Sequence, residues 1–218
     1  MTTPLPSLRY ALRTARRRLR RGRIIERYLT ENETRKLQLG AGDNVLPGWL
    51  NTDLHGYRRA DELVLLDVRK PFPLPNASFD FVYTEHMIEH LTWTEGQSCL
   101  RECLRVLRPG GTIRLATPSL ERLLGLYRGG EVAEHYLRWA VQTLEPEVDA
   151  ALPGIVINNF FHSWGHRFIY DPGTLEHALT TAGFVGVEER SVSELEGHLS
   201  ERPEFNEFET FVLEARRP

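Results

Sequence analysis

The chain has 218 residues, 41% of them hydrophobic and 26% charged, with a formal net charge of −3. That length gives one sizeable core and leaves little for a second domain, and no apolar run approaches the roughly 18 residues that cross a bilayer, which excludes a helical membrane protein. No apolar stretch follows the basic N-terminus, so a secretory leader is not expected; Cys99 and Cys103, four residues apart, read as small buried residues of one helix face rather than a disulfide or metal pair, and a cytoplasmic setting is expected.

Residues 1–6 hold two prolines and read as frayed. From Ser7 to about Leu29 the pattern is helical, with Leu8, Leu12, Ala15, Leu19, Ile24 and Tyr28 near one stripe and Gly22 as a break point. Between Arg9 and Arg27 stand nine arginines against the single acid Glu26. Residues 1–30 thus form a basic helical arm. Packing over the domain is the favoured reading, with nucleic acid or an anionic membrane surface as the open alternatives.

Strands and helices then alternate. Lys36–Leu39, Leu50–Asp53, Leu63–Leu66 and Phe79–Thr84 read as four strands. A helix over about Thr94–Leu107 is expected to stop before the breaker Pro109-Gly110-Gly111, and Thr112–Ala116 to form a fifth strand. Residues 119–150 look helical, divided at Gly129-Gly130, and 151–170 irregular. Together, 119–170 read as a substrate-side insertion, too long for a simple connection. Asp171–Ala182 is a helix with Pro172 in its first turn and Gly183 as its cap, before final strands at Phe184–Glu189 and Glu207–Glu214. This order predicts one α/β domain over 31–218, a doubly wound, mainly parallel seven-stranded sheet.

The first strand ends in Gly40-Ala41-Gly42. Glycine there lets the backbone turn sharply and approach a ligand, at the sheet edge where doubly wound folds bind theirs. The full G-x-G-x-x-G fingerprint is not met, because position 45 is Val45, which counts against a nicotinamide enzyme. The next two strands end in Asp53 and Asp67. A carboxylate at the first can accept hydrogen bonds from ribose hydroxyls. One at the second can hold an adenine amino group, with Val68 over the ring. Either acid alone could instead be a cap or turn residue.

The run Leu39-Gly40-Ala41-Gly42, the stretch from Pro71 to Tyr83, Glu89-His90-Leu91 and Glu102–Gly111 together resemble the class I S-adenosylmethionine-dependent methyltransferases of the broad type 11 group. The resemblance covers residues 36–118 well and 162–190 more loosely. It implies a Rossmann-like fold with S-adenosylmethionine as cofactor, held by Gly40, Ala41, Gly42, Asp53, Leu54, Asp67, Val68 and Glu85. Gly40 and Gly42 would flank the methionine part, and Glu85 and His86 would sit beside the sulfonium. One departure stands out: Asp53 follows Gly42 by only 11 residues, too few for a full crossover helix. Asp43 and Asp61 are the alternative ribose acids if the register differs.

A proton acceptor is sought among His86, His90, His162 and His166, since imidazole titrates near neutrality. His86 and His166 are the preferred catalytic residues, His90 the structural one, and Arg167 an anion contact or a surface ion pair. No zinc-ligand spacing links Cys and His, so no metal is expected, and neither a G-x-S-x-G elbow nor a P-loop occurs. The Asn/Asp-Pro-Pro-aromatic motif of amino-methylating nucleic-acid enzymes is replaced by Thr84-Glu85-His86-Met87, and both cysteines lie mid-helix, away from a pyrimidine-methylating position. The expected activity is methyl transfer to an oxygen, less favoured a nitrogen, of a small molecule by a monomer or homodimer. Two rivals stay open: a methyltransferase of RNA or another macromolecule using the arginine-rich arm, and a cofactor-binding module without catalysis.

Overall fold

The structure, a computed structural model, describes residues 8–55, 63–194 and 208–218, with the side chains of 8–19 and 194 outside the description. Residues 1–6, Asp61 and the arginines from Arg9 to Arg18, all invoked above, therefore lie outside what is described structurally or as side chains. Helix α1 (Leu8–Glu31) runs unbroken through Gly22. A mid-helix glycine costs about 1 kcal/mol relative to alanine, and packing of the C-terminal half offsets it: Ile25 is buried, and Ile24, Tyr28 and Leu29 lie against the main core.

Seven strands form one sheet in the order β3-β2-β1-β4-β5-β7-β6. They are β1 (Lys36–Leu39), β2 (Leu50–Asp53), β3 (Val64–Leu65), β4 (Phe79–Glu85), β5 (Leu107–Pro118), β6 (Val185–Arg190) and β7 (Thr210–Arg216). Pairings from β3 through β5 are parallel, while β7 runs antiparallel to β5 and to β6. The sheet is thus mainly parallel, with one antiparallel hairpin at its edge. Leu37, Leu50, Val82, Ile113 and Ala215 share a register row. They enter one continuous core with Cys99, Leu100 and Cys103 of α2 (Trp93–Val106) and Leu175 and Leu179 of α6 (Pro172–Ala182). Both cysteines are free and buried, as their spacing suggested.

Several boundaries differ from the sequence reading, each for a local reason. Helix α2 starts one residue earlier, at Trp93, because Thr92 and Glu95 form a capping box. Pro109-Gly110-Gly111 does not separate helix from strand; β5 begins at Leu107 and takes them in as a bulge. Phe79 pairs with Leu107 and Phe81 with Thr112, so β5 holds three extra residues there, and Gly110 takes a φ of +77° that suits glycine. The stretch expected to be irregular contains α5 (Pro153–His162), with a proline in its first turn and Val156 and Phe160 buried four residues apart. With α3 (Leu120–Gly125) and α4 (Glu131–Leu144), it builds a second small core around Leu123, Tyr136, Ala140 and Phe160. Tyr136 donates a 2.5 Å hydrogen bond to Glu209, tying this core to the entry of β7.

Between β1 and β2 no helix forms. Leu46 and Trp49 from the connecting loop are buried against Tyr83 and Phe81, and the Asn51 side chain accepts from the Leu46 amide and donates to its carbonyl. Ten residues thus make a parallel crossover with a side-chain-stapled loop in place of a helix.

Candidate active site

β1 delivers the chain into Gly40 (φ +69°) and Gly42 (φ +54°). These left-handed values are easy only for glycine. Gly40 is also hemmed in: a Cβ there would lie 2.5 Å from Met87 Cγ. At Gly42 a Cβ would meet nothing within 4 Å among the described residues, so the bare backbone faces open space there. β2 fastens the turn. Ala41 N donates to Thr52 O at 2.9 Å, and Gly42 N donates to Asp53 Oδ2 at 3.0 Å. The other Asp53 oxygen accepts from His55 N at 2.8 Å.

A cavity of about 410 Å³ opens beside this turn, inside the range of small-ligand sites. It gathers Gly40, Gly42, Asp53, Leu54, Asp67, Val68 and His86 of the sequence-derived set. Ala41 and Glu85 lie on an adjoining recess of about 260 Å³ that shares Gly40 and His86. Glu85 there accepts a 2.6 Å bond from the Tyr83 hydroxyl. Asp43 is not among the residues lining either. Met87, His55, Arg69 and Trp164 line the main cavity without having been singled out in the sequence. Arg69 had a legible cue, since it stands two residues from Asp67; Trp164 belongs to the aromatic- and histidine-rich run around His162 and His166, but only the fold brings the 163–166 turn here.

Asp67 is gripped by Arg69 in a two-point contact of 2.7 and 3.0 Å, with Lys70 at 3.8 Å. The Arg69 hydrogen bonds hold its carboxyl below the usual range, so it is an anion at neutral pH. Asp67 Oδ1 is filled by Arg69 N and Nε, but Asp67 Oδ2 and both Asp53 oxygens each keep a second lone pair, so Asp53 and Asp67 can each still accept from a ligand. Bare backbone, two anionic acceptors and the apolar Leu54 and Val68 on one cavity fit an adenosyl group with an amino-acid tail.

An imidazole cluster stands at one end. His86, at a strained φ of +45°, places Nε2 2.9 Å from Thr210 Oγ1 and Nδ1 3.4 Å from Glu89 Oε1. Burial, then the nearby His166 and His90 rings, push its pKa well below the ordinary imidazole value, which keeps it neutral. Glu89 is fully buried. Thr117 donates to Oε2 at 3.1 Å, while Oε1 has no hydrogen-bond partner among the described residues. Burial pushes the Glu89 carboxyl up to about 8. The ring of His90 lines the cavity and packs edge-on against His166, with centroids 4.9 Å apart. His166 is 2.7 Å from the Phe160 carbonyl through Nδ1. That oxygen can only accept, so Nδ1 carries the proton and Nε2 a free lone pair. His162 stands apart, on a separate hollow between α4 and α5 with Glu145 and Leu152. Arg167 pairs with Glu95 at 3.0 Å in an exposed contact, the ion-pair alternative of the two raised above.

The sequence of residues 47–115 matches the family described as a methyltransferase domain. A probable S-adenosylmethionine-dependent methyltransferase of Mycolicibacterium smegmatis is 51% identical over 47 residues, which are 22% of this chain and 18% of that protein. The chain therefore spans under a fifth of the length of that relative. Among solved structures, a putative methyltransferase in complex with the Haloferax volcanii Trm112 activator superposes with a TM-score of 0.50. It is 16% identical, over 98% of this chain and 99% of that one. An S-adenosylmethionine-dependent methyltransferase of Archaeoglobus fulgidus gives the same TM-score at 17% identity, over 92% and 94% of the two chains. At these identities the structural likeness establishes the fold.

Proposed function

From the methyltransferase-domain match over residues 47–115 and the shared fold, we propose that the chain is a class I S-adenosylmethionine-dependent methyltransferase that transfers a methyl group to an oxygen of a small-molecule acceptor. One observation carries the reading: the glycine turn, Asp53 and Asp67 converge on a single cavity that His86 and His90 also line, with His166 packed against His90. Bound S-adenosylmethionine would supply an electrophilic methyl on a sulfonium that leaves as a neutral thioether and needs no acid. Gly40 and Gly42 would admit its amino-acid tail, Asp53 would accept from the ribose hydroxyls and Asp67 from the adenine amino group. Leu54 and Val68 would exclude water from the ring.

Alignment of acceptor and methyl is the larger contribution, up to ~7–11 kcal/mol. A proton acceptor adds roughly 10²–10⁴-fold. His86, held neutral, and His166, whose pKa burial lowers and whose Nδ1–H goes to the Phe160 carbonyl, supply lone pairs for that role. Nitrogen acceptors remain the second choice, because the Asp/Asn-Pro-Pro-aromatic run suited to amino groups is replaced by Thr84-Glu85-His86-Met87. The described arginines Arg20, Arg21, Arg23 and Arg27 of α1 favour the macromolecular rival only if they raise RNA affinity.

Calorimetry with S-adenosylmethionine and its demethylated product is the first test, followed by mass detection of a one-methyl gain in a metabolite extract. Binding with a gain in a small molecule supports the reading. Binding without any turnover assigns the chain to cofactor-binding modules, and salt-sensitive methylation of RNA assigns it to the macromolecular class.

A further inference from the structure

The geometry points to a binding site for a divalent first-row transition ion, zinc or a close neighbour, formed by the Glu89 carboxylate and the imidazoles of His90 and His166. One ligand atom from each of these three residues lies within 4.8 Å of the others. Ligands on a zinc ion sit at about 2.0–2.2 Å, so the widest pair would draw together by about an ångström, within reach of side-chain torsions.

Two independent observations point to a ligand there. The first is Glu89 itself: 0% exposed, with Oε1 lacking any hydrogen-bond partner among the described residues and His86 Nδ1, at 3.4 Å, outside bonding geometry. A buried carboxylate oxygen without a partner is costly unless a cation or proton answers it. The second is His166, whose Nδ1–H is spent on the Phe160 carbonyl at 2.7 Å. This is the arrangement that orients metal-bound imidazoles through their second nitrogen. Thr117 likewise anchors the other Glu89 oxygen at 3.1 Å. The backbone locks the ligands together, since Arg167 N and Phe168 N both donate to the Glu89 carbonyl, at 2.8 and 3.1 Å.

Two imidazoles and one carboxylate, with no thiolate, suit zinc and its first-row neighbours better than magnesium or calcium. Three protein ligands leave a position open, the mark of a working rather than a purely structural site. His90 lines the main cavity, so an ion held by its ring would stand beside that cavity. The site stands without the transferase reading. Resting on that reading, an ion there would take the acceptor hydroxyl as its fourth ligand and lower its pKa, which selects a hydroxyl-bearing acceptor. No spacing cue was legible, because His166 lies 76 residues beyond His90 and only the fold joins them.

The test uses untagged full-length protein, stripped with a chelator and titrated with zinc by calorimetry and with cobalt(II) by visible absorption. We expect one ion per chain, a cobalt d–d spectrum of low-coordinate type, and a loss of affinity of about 100-fold or more in His90→Gln and in His166→Gln. His162→Gln, remote from the cluster, should bind as the parent does. Absence of saturable binding to the parent protein overturns the site whether or not any variant folds, as does unchanged affinity in both cluster variants. Cofactor titration of the same stripped protein separates the two readings. Zinc binding without cofactor heat would remove the transferase, and cofactor heat without zinc binding would remove the ion.

Discussion

Gly40 and Gly42 share a left-handed backbone yet face opposite surroundings, and their alanine variants should part accordingly. In Gly40→Ala the new methyl collides with Met87, adding overpacking of roughly 1–3 kcal/mol to about 1–2 kcal/mol of backbone strain; a large fall in melting temperature is expected. Gly42→Ala carries the strain alone and projects into open space, so we expect a modest stability loss with a marked loss of S-adenosylmethionine affinity by calorimetry. Asp67→Ala should leave stability nearly unchanged, since its pairing with Arg69 is a partly exposed ion pair. It should weaken cofactor binding at least tenfold, about 1.4 kcal/mol. Unaltered affinity would take Asp67 out of the site. The strand-end acids and glycines were legible in the sequence because each is local to the end of one strand. Glu89 and His166 were not legible as partners, since a buried orphan oxygen and a pinned tautomer exist only after folding.

Among elements, α2 holds the Pro-rich stretch before β4 through one side chain. Arg105 donates to both Glu102 oxygens, to the carbonyls of Phe72 and Leu74, and to Asn76 Oδ1. Glu102 in turn accepts from the Phe72 amide at 2.6 Å. Arg105→Met should cost on the order of 2 kcal/mol by chemical denaturation. The Arg105 hydrogen bonds hold the Glu102 carboxyl below its ordinary value. Its stabilising contribution is therefore present above that ordinary value and disappears as pH falls through the lower folded one. Glu102→Gln should flatten the acid limb of the stability profile while lowering stability at neutrality; an unchanged acid limb would show that the pair does not contribute. Helix α6 was readable end to end from Asp171, Pro172 and Gly183. Helix α5 was not, because its apolar residues serve the insertion's private core rather than a periodic stripe on the sheet.

At the scale of the molecule, the basic arm and the sheet are one packed body from Ile24 onward. The Tyr28 hydroxyl accepts from Lys36 N at 2.8 Å and reaches the Lys36 and Gly48 carbonyls at 2.8 and 3.1 Å. It joins α1 to β1 and to the loop that replaces a crossover helix. Removing residues 1–30 would thus strip Ile25 and Tyr28 from the core and lower stability, confounding any test of RNA binding. Arg20→Gln with Arg23→Gln is the cleaner probe. We expect unchanged cofactor affinity and, if the arm contacts nucleic acid, a shallower salt dependence of RNA binding. Composition disclosed the arm's charge, whereas its docking depends on a ring at Tyr28 meeting Phe79, 6.3 Å away between centroids.

The exposed indole of Trp164, 51% accessible at the cavity mouth, gives the protein a built-in optical gauge. Trp49, by contrast, is enclosed at 7%, and the half-buried Trp93 and Trp139 are not among the cavity's lining residues, so these three emit as a steady background. Whatever enters the mouth must alter the polarity around one fluorophore while its peptide footing, stitched to Glu89 just downstream, stays still. A blue shift on filling would count occupancy directly, with no label attached.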